Sequence, residues 1–310
     1  MHFRAVAATV LSMVGAILPI AAGRAPEASP TTPWLVAHRG ASAYAPENTV
    51  PAFRLAAEQG ATFVEFDLRL TKDRQLVCLH DDSLERTTDV EEIFPDRSRT
   101  AGTGAQAKRR WPLEEFTLAD LKRLDAGSWF GPAFRGTRIP TFAETIDALR
   151  GRSGLFIELK SPELYEGIER LVIAELKAKG LDTPGADPRT PVLLQSFSAP
   201  SLELFAGTLG TRLPIHFLVA ARDAGPWLTD EGLERLKRFA TGLSPEKSIV
   251  ASHQGAIAKV RAMGLRVTPY TFRATAVSGF ADVRAEMRHY IDALGVDGVI
   301  TDNPDQRPWR

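Results

Sequence analysis

From about residue 34 onward, short apolar runs alternate with polar junctions and with segments whose apolar residues recur every three or four positions. That rhythm predicts repeated strand–helix units feeding a parallel sheet. Eight runs read as strands: residues 35–37, 63–70, 155–159, 192–197, 213–219, 249–251, 266–272 and 298–301. Eight units predict an α/β fold, a TIM (β/α)8 barrel, whose closure leaves no sheet edge to protect. Helix starts fall where the scheme needs them. Asn48 and Thr49 stand as caps before a segment that turns Val50 and Phe53 inward, and Gly60 is placed to end it. Thr141 with Glu144 has capping-box spacing, as does Thr117 with Asp120, and Ser161 followed by Pro162 reads as the start of the third helix.

The rhythm breaks once. Residues 81–140, between the second strand and the second helix, are far longer than an ordinary strand-to-helix loop and rich in Gly, Arg and Thr. They read as an insertion over the barrel mouth, inside one barrel domain spanning residues 34–310.

Period-two alternation within the second run carries the first chemical signal. In Phe63-Val-Glu-Phe-Asp-Leu-Arg-Leu70 it puts Glu65, Asp67 and Arg69 on one strand face and the apolar residues on the other. If the apolar face meets helices, two carboxylates point into the barrel, where leaving both charged and unpaired is costly. Glu158 ends a third strand, with Lys160 on the same face. Three carboxylates favour one hard divalent cation, Ca2+ or Mg2+. The simpler alternative is that the acids pair with Arg69 and Lys160. His38 follows the first run and His80 the segment returning from the second strand, so both fall at the carboxylate rim, and Gly40 would let the backbone approach a ligand closely. Two histidines supply the base and the acid that phosphodiester cleavage requires, and Arg39 and Lys160 can hold phosphate oxygens.

Composition narrows the partners. The 38 Lys plus Arg balance the 38 Asp plus Glu, so no global field gathers nucleic acid or anionic lipid. Lys108, Arg109 and Arg110 beside Trp111 accordingly read as a solvated loop. His216, His253 and His289 lack partner motifs and read as structural. Trp129, Phe130 and Phe134 suit either the mouth or packing beneath a long loop. The single cysteine, Cys78, lies in an apolar run, excludes an internal disulfide and reads as a buried small hydrophobe. His2 and Arg4 precede an apolar run over residues 5–22 and then a polar, Pro-rich stretch. Residues 1–28 therefore read as a cleaved signal peptide and the start of a polar linker, implying a secreted or periplasmic protein without stable membrane insertion.

His38-Arg-Gly40, Ala45-Pro-Glu-Asn-Thr49, Glu65-Phe-Asp67, His80-Asp81 and Ile157-Glu-Leu-Lys160 occur in that order. They are followed by Gln195-Ser-Phe197, Pro269-Tyr-Thr271 and the stretch from Asp297 to Pro304. This ordered set resembles the glycerophosphodiester phosphodiesterase family. Leu84-Glu-Arg-Thr-Thr-Asp89 with Phe94-Pro-Asp-Arg97 resembles its periplasmic-type branch. The resemblance implies metal ligands at Glu65, Asp67 and Glu158 and acid/base histidines at His38 and His80. It also implies substrate contacts from Arg39, Lys160, Gln195 and Tyr270, with hydrolysis of glycerophosphodiesters to glycerol 3-phosphate and an alcohol. Two other readings stand beside it: a related barrel phospholipase acting on intact lipid, and a non-catalytic secreted glycerophosphodiester-binding protein. Two departures from the family pattern are Arg74, where a turn usually carries Gly, and a tail after the last strand too short for a closing helix.

Overall fold

The computed structural model describes residues 32–309. Residues 1–28, which the sequence reads as a signal peptide, lie outside them. Among the described residues, eight parallel strands run in the order Trp34–Ala37, Phe63–Leu70, Gly154–Leu159, Val192–Ser196, Ile215–Val219, Gly242–Pro245, Arg266–Val267 and Gly298–Thr301. Each pairs with its sequence neighbour, and the first also pairs with the eighth. The seventh and eighth are joined beyond the short seventh strand by Phe272 N–H donating to the Ile300 carbonyl (2.9 Å) and Ile300 N–H donating to that of Pro269 (3.0 Å). This closes a TIM barrel.

The outward faces of the strands meet the helices in one large core, with Val64, Phe66, Leu68 and Ile157 packed among Phe53, Phe142 and Ile146. The inward faces hold a second, smaller cluster of Val36, Phe63, Phe156, Leu193 and Ile300. At this floor the rings sit over glycines of neighbouring strands. A Cβ added to Gly154 would lie 2.4 Å from the Phe63 ring, one on Gly242 2.3 Å from His216, and one on Gly298 2.7 Å from the Trp34 Cβ. The glycines make the room that the rings fill.

Two expectations fail here. Residues 249–251 are not a strand but part of the helix Lys247–Ser252, with Ile249 and Val250 buried. The sixth strand is Gly242–Pro245, disguised because its inward positions, Gly242 and Ser244, carry almost no apolar surface. Ser161 does not cap a helix; it adopts φ 43° before a single turn at Pro162–Leu164, and the helix Ile168–Ala178 starts behind Gly167. The other start signals hold: Thr49 caps Val50–Glu58, and Thr117 and Thr141 form complete capping boxes. The short tail closes its own side, since Trp309 packs on the main core and Arg288 Nη2 donates to the Pro308 carbonyl at 2.9 Å.

The second strand turns back antiparallel through Leu76–Cys78, and Cys78 is buried, its thiol pushed up by desolvation. At that turn Arg74 adopts φ 61° and donates to the Glu166 carbonyl at 2.9 Å. Residues 81–140 then build a cluster around Leu84, Trp111, Leu113, Phe116 and Leu124. Trp129, Phe130 and Phe134 stack edge-to-face on one another away from the cavity at the barrel mouth.

Candidate active site

That cavity, of about 480 Å³, opens at the carboxyl-terminal ends of the strands. Its lining includes His38, Arg39, Glu65, His80, Glu158, Lys160, Gln195 and Tyr270. Strand register assembles the carboxylates, because Asp67 lies beside Glu158 across the second and third strands while Glu65 sits one inward step below Asp67. Ligand oxygens of Glu65, Asp67 and Glu158 all lie within 4.8 Å of one another.

Charge balance here is incomplete. Burial, and then the charges of Asp67 and Glu158, push the Glu65 carboxyl well above the usual carboxylate range. Glu158 is also raised by burial, with Lys160 offsetting part of the rise. Burial would raise Asp67 too, but Lys160 and Arg39, helped by His80 and the Asn48 amide, hold it below the usual range. Lys160 Nζ is 2.8 Å from Glu158 Oε1 and 3.7 Å from Asp67 Oδ1. Arg69 takes no part in this balance: its Nε and Nη2 donate to the His80 carbonyl at 2.9 and 2.7 Å. Glu65 Oε1 and Asp67 Oδ1 are buried without a hydrogen-bond donor, and Glu158 Oε1 has Lys160 alone beside it among the described residues. Three converging carboxylates, two of them with a donor-less oxygen, fit a hard divalent cation and are costly without one.

The first strand-to-helix turn is built from left-handed residues. Arg39 (φ 55°), Gly40 (φ 85°) and Asn48 (φ 57°) fold it so that the Arg39 N–H donates to Glu65 Oε2 at 2.7 Å. Gly40 is needed here because a Cβ would meet the Ala52 carbonyl carbon at 2.7 Å; its close approach is to the following helix. Asn48 is not a cap. Its amide donates to Asp67 Oδ2 at 2.7 Å and its carbonyl oxygen accepts from the Asp67 N–H at 3.1 Å.

Each cavity histidine has an aspartate behind it. His38 Nδ1 is 2.7 Å from Asp302 Oδ1, and Arg273 Nε donates to the other Asp302 oxygen at 2.8 Å. His80 Nδ1 is 2.6 Å from Asp81 Oδ1, and Arg86 grips that carboxylate in turn. Bonding at Nδ1 leaves Nε2 of each ring for chemistry. Burial first, then Arg39, lowers the His38 pKa against the opposing pull of Asp302, so the ring is neutral at pH 7. Gln195 pairs in register with Glu158, its Oε1 buried without a donor, and Tyr270 donates its hydroxyl to the Val219 carbonyl at 3.1 Å with its ring edge-to-face on Phe197. Asp302, Asp81, Glu47 and Arg86 were given no role by sequence reasoning. Asp302 alone had a usable signal, alternation through Gly298 and Ile300 on the last strand. By contrast, His216 is buried on the floor beside Ser244, its pKa lowered to about 3 by desolvation and Arg266.

The model of the glycerophosphoryl diester phosphodiesterase family matches residues 38–306. The chain is 35% identical over 285 residues to a glycerophosphodiester phosphodiesterase of Bacillus subtilis, covering 89% of this chain and 86% of that one. It is 32% identical over 275 residues to the enzyme of the same name from Caldanaerobacter subterraneus, covering 87% and 94%. Among solved structures it is similar to a phosphodiesterase from Oleispira antarctica in complex with the product sn-glycerol-3-phosphate. There the identity is 30% and the TM-score 0.68, covering 89% of this chain and 95% of that one. With the match running from the first cavity histidine to the turn after the last strand, the chain belongs to the glycerophosphoryl diester phosphodiesterase family and is a phosphoric diester hydrolase.

Proposed function

We propose that the protein hydrolyses glycerophosphodiesters to glycerol 3-phosphate and an alcohol, using one divalent cation, Ca2+ or Mg2+, at Glu65, Asp67 and Glu158 and the two histidines as base and acid. The observation that carries this reading is the set of three converging buried carboxylates at a mouth that also holds two aspartate-backed histidines. When bound, the cation would neutralise phosphate charge as a Lewis acid. Arg39 and Lys160 orient the phosphodiester by their N–H donors. His38, kept neutral, accepts at Nε2 the proton of the attacking water, or of the glycerol 2-hydroxyl in a route whose cyclic phosphate water then opens, with Asp302 steadying the imidazolium that forms. As the phosphorus–oxygen bond to the alcohol breaks, His80 gives its proton to the departing oxygen. Gln195 and Tyr270 contact the rest of the substrate.

The test is release of glycerol 3-phosphate from glycerophosphocholine by the mature protein, before and after chelation and with each metal restored. His38→Ala and His80→Ala should each lower kcat by about 10²–10⁴-fold. Undiminished turnover after chelation, or in both variants, overturns the reading. Residues 1–28 support export to the periplasm or medium. Recovery of uncleaved protein in the cytoplasmic fraction would refute that. No helix among the described residues is long and apolar enough to cross a membrane.

A further inference from the structure

Arg86 lies outside the cavity and is 44% exposed, yet its guanidinium is held by two carboxylates at once. Its Nε and Nη2 donate to Asp81 at 2.5 and 3.1 Å, and its Nη1 and Nη2 donate to Glu47 at 2.9 and 2.7 Å. Glu47, only 13% exposed, is tied to the first strand-to-helix turn, where Arg39 Nη1 donates to its Oε1 at 3.0 Å. Asp81 holds the Nδ1 of His80. An unbroken run of charge-assisted hydrogen bonds thus leads from the barrel's first turn, through a residue of the insertion, to the imidazole at the mouth.

We infer that Arg86 is a positioning residue for His80, acting through Asp81 with Glu47 as its anchor. Two carboxylates gripping one planar fork fix its plane as well as its place, which a single contact does not. The two imidazoles differ in how they are secured. His38 is bound to Asp302 on a barrel strand end, whereas His80 stands just past the return strand. Its backbone carbonyl is held by Arg69 and its ring by Asp81, the one hydrogen-bond partner of the ring among the described residues. Without Arg86, Asp81 keeps its contact with the ring but loses the support that directs it, and Glu47 and Asp81 face each other with their shared cation gone.

This rests on the reading of His80 as the proton donor, so the experiment measures kcat and KM on glycerophosphocholine for R86A, R86Q, R86K, H80A and the double variant R86A/H80A, with thermal midpoints alongside. R86A and R86Q should lose about 10–100-fold in kcat, as expected when a reacting group is misplaced by about 1 Å, with KM changed less than about threefold. R86K, which restores charge without the fork, should recover only part. In the H80A background, R86A should cost less than about threefold, because a residue acting through His80 has nothing left to position. If R86A and R86Q keep kcat within about twofold of the parent, or if the loss is as large in the H80A background, the inference is wrong. If H80A itself keeps full activity, the reading of His80 fails instead. The exposure of Arg86 makes all three replacements compatible with folding, which the thermal midpoints check.

Discussion

The floor and the mouth of the barrel are built from the same strands two residues apart, yet they are chemically opposite. Val36 is followed inward by His38, Phe63 by Glu65, Phe156 by Glu158, Leu193 by Gln195 and Ile300 by Asp302. Both layers are largely buried, so burial alone does not decide which residue type is tolerated. What differs is charge. The floor is apolar rings over glycines, with His216 kept neutral, whereas the mouth gathers three carboxylates against Lys160 and Arg39, with Glu65 Oε1 and Asp67 Oδ1 lacking donors. A layer selected for stability would not carry that burden. The contrast separates residues that hold the barrel together from residues it holds in readiness.

Substitutions can break this comparison, and the largest effect belongs to the mouth. Glu65→Gln or Glu158→Gln should lower metal-restored activity about a thousandfold or more, since several kcal/mol of charge stabilisation depend on the cation. In chelator Glu65→Gln should unfold at a higher temperature than the parent, because a buried acid repelled by its acidic neighbours is gone. A lower midpoint would show the carboxylates to be structural. At the floor, Phe156→Ala, which removes a ring packed on Phe63 and His216, should cost about 3–5 kcal/mol in denaturant unfolding. Its kcat per folded molecule should change far less than that of a mouth variant.

A smaller effect sharpens the distinction through pH. Because His38 is lowered below the ordinary 6.5 and must be neutral to accept a proton, the acid limb of kcat/KM should fall below pH 6.5. A limb above that value would remove His38 from the role of base. The last effect concerns His216. Its folded pKa of about 3 lies below the unfolded value near 6.5, so the unfolded chain binds the extra proton between them. Its contribution to stability is therefore complete above pH 6.5 and is lost as pH falls toward 3. His216→Phe should flatten that part of the stability profile; an unchanged slope would place the loss elsewhere.

Much of this was legible in the sequence, for identifiable reasons. Period-two alternation in the second and third strands revealed the inward carboxylates directly, because a strand cannot hide which face a residue shares. The sixth strand escaped because its inward residues, Gly242 and Ser244, make room for a neighbour's ring and leave no apolar signature. Asn48 reads as a helix cap because the amide that can cap a helix can also reach a carboxylate 19 residues away, and local spacing does not choose between them. Arg86 lay beyond reach altogether. Its link to Glu47 spans 39 residues and exists only once the insertion folds back on the barrel.

The rings seated over glycines at the floor have a further consequence for traffic. Among the described residues that end of the barrel is filled, so the mouth serves as both entrance and exit. Under the proposed chemistry, glycerol 3-phosphate lingering in the medium would occupy the doorway that the next diester needs. Turnover would then follow how quickly the surroundings carry the product away.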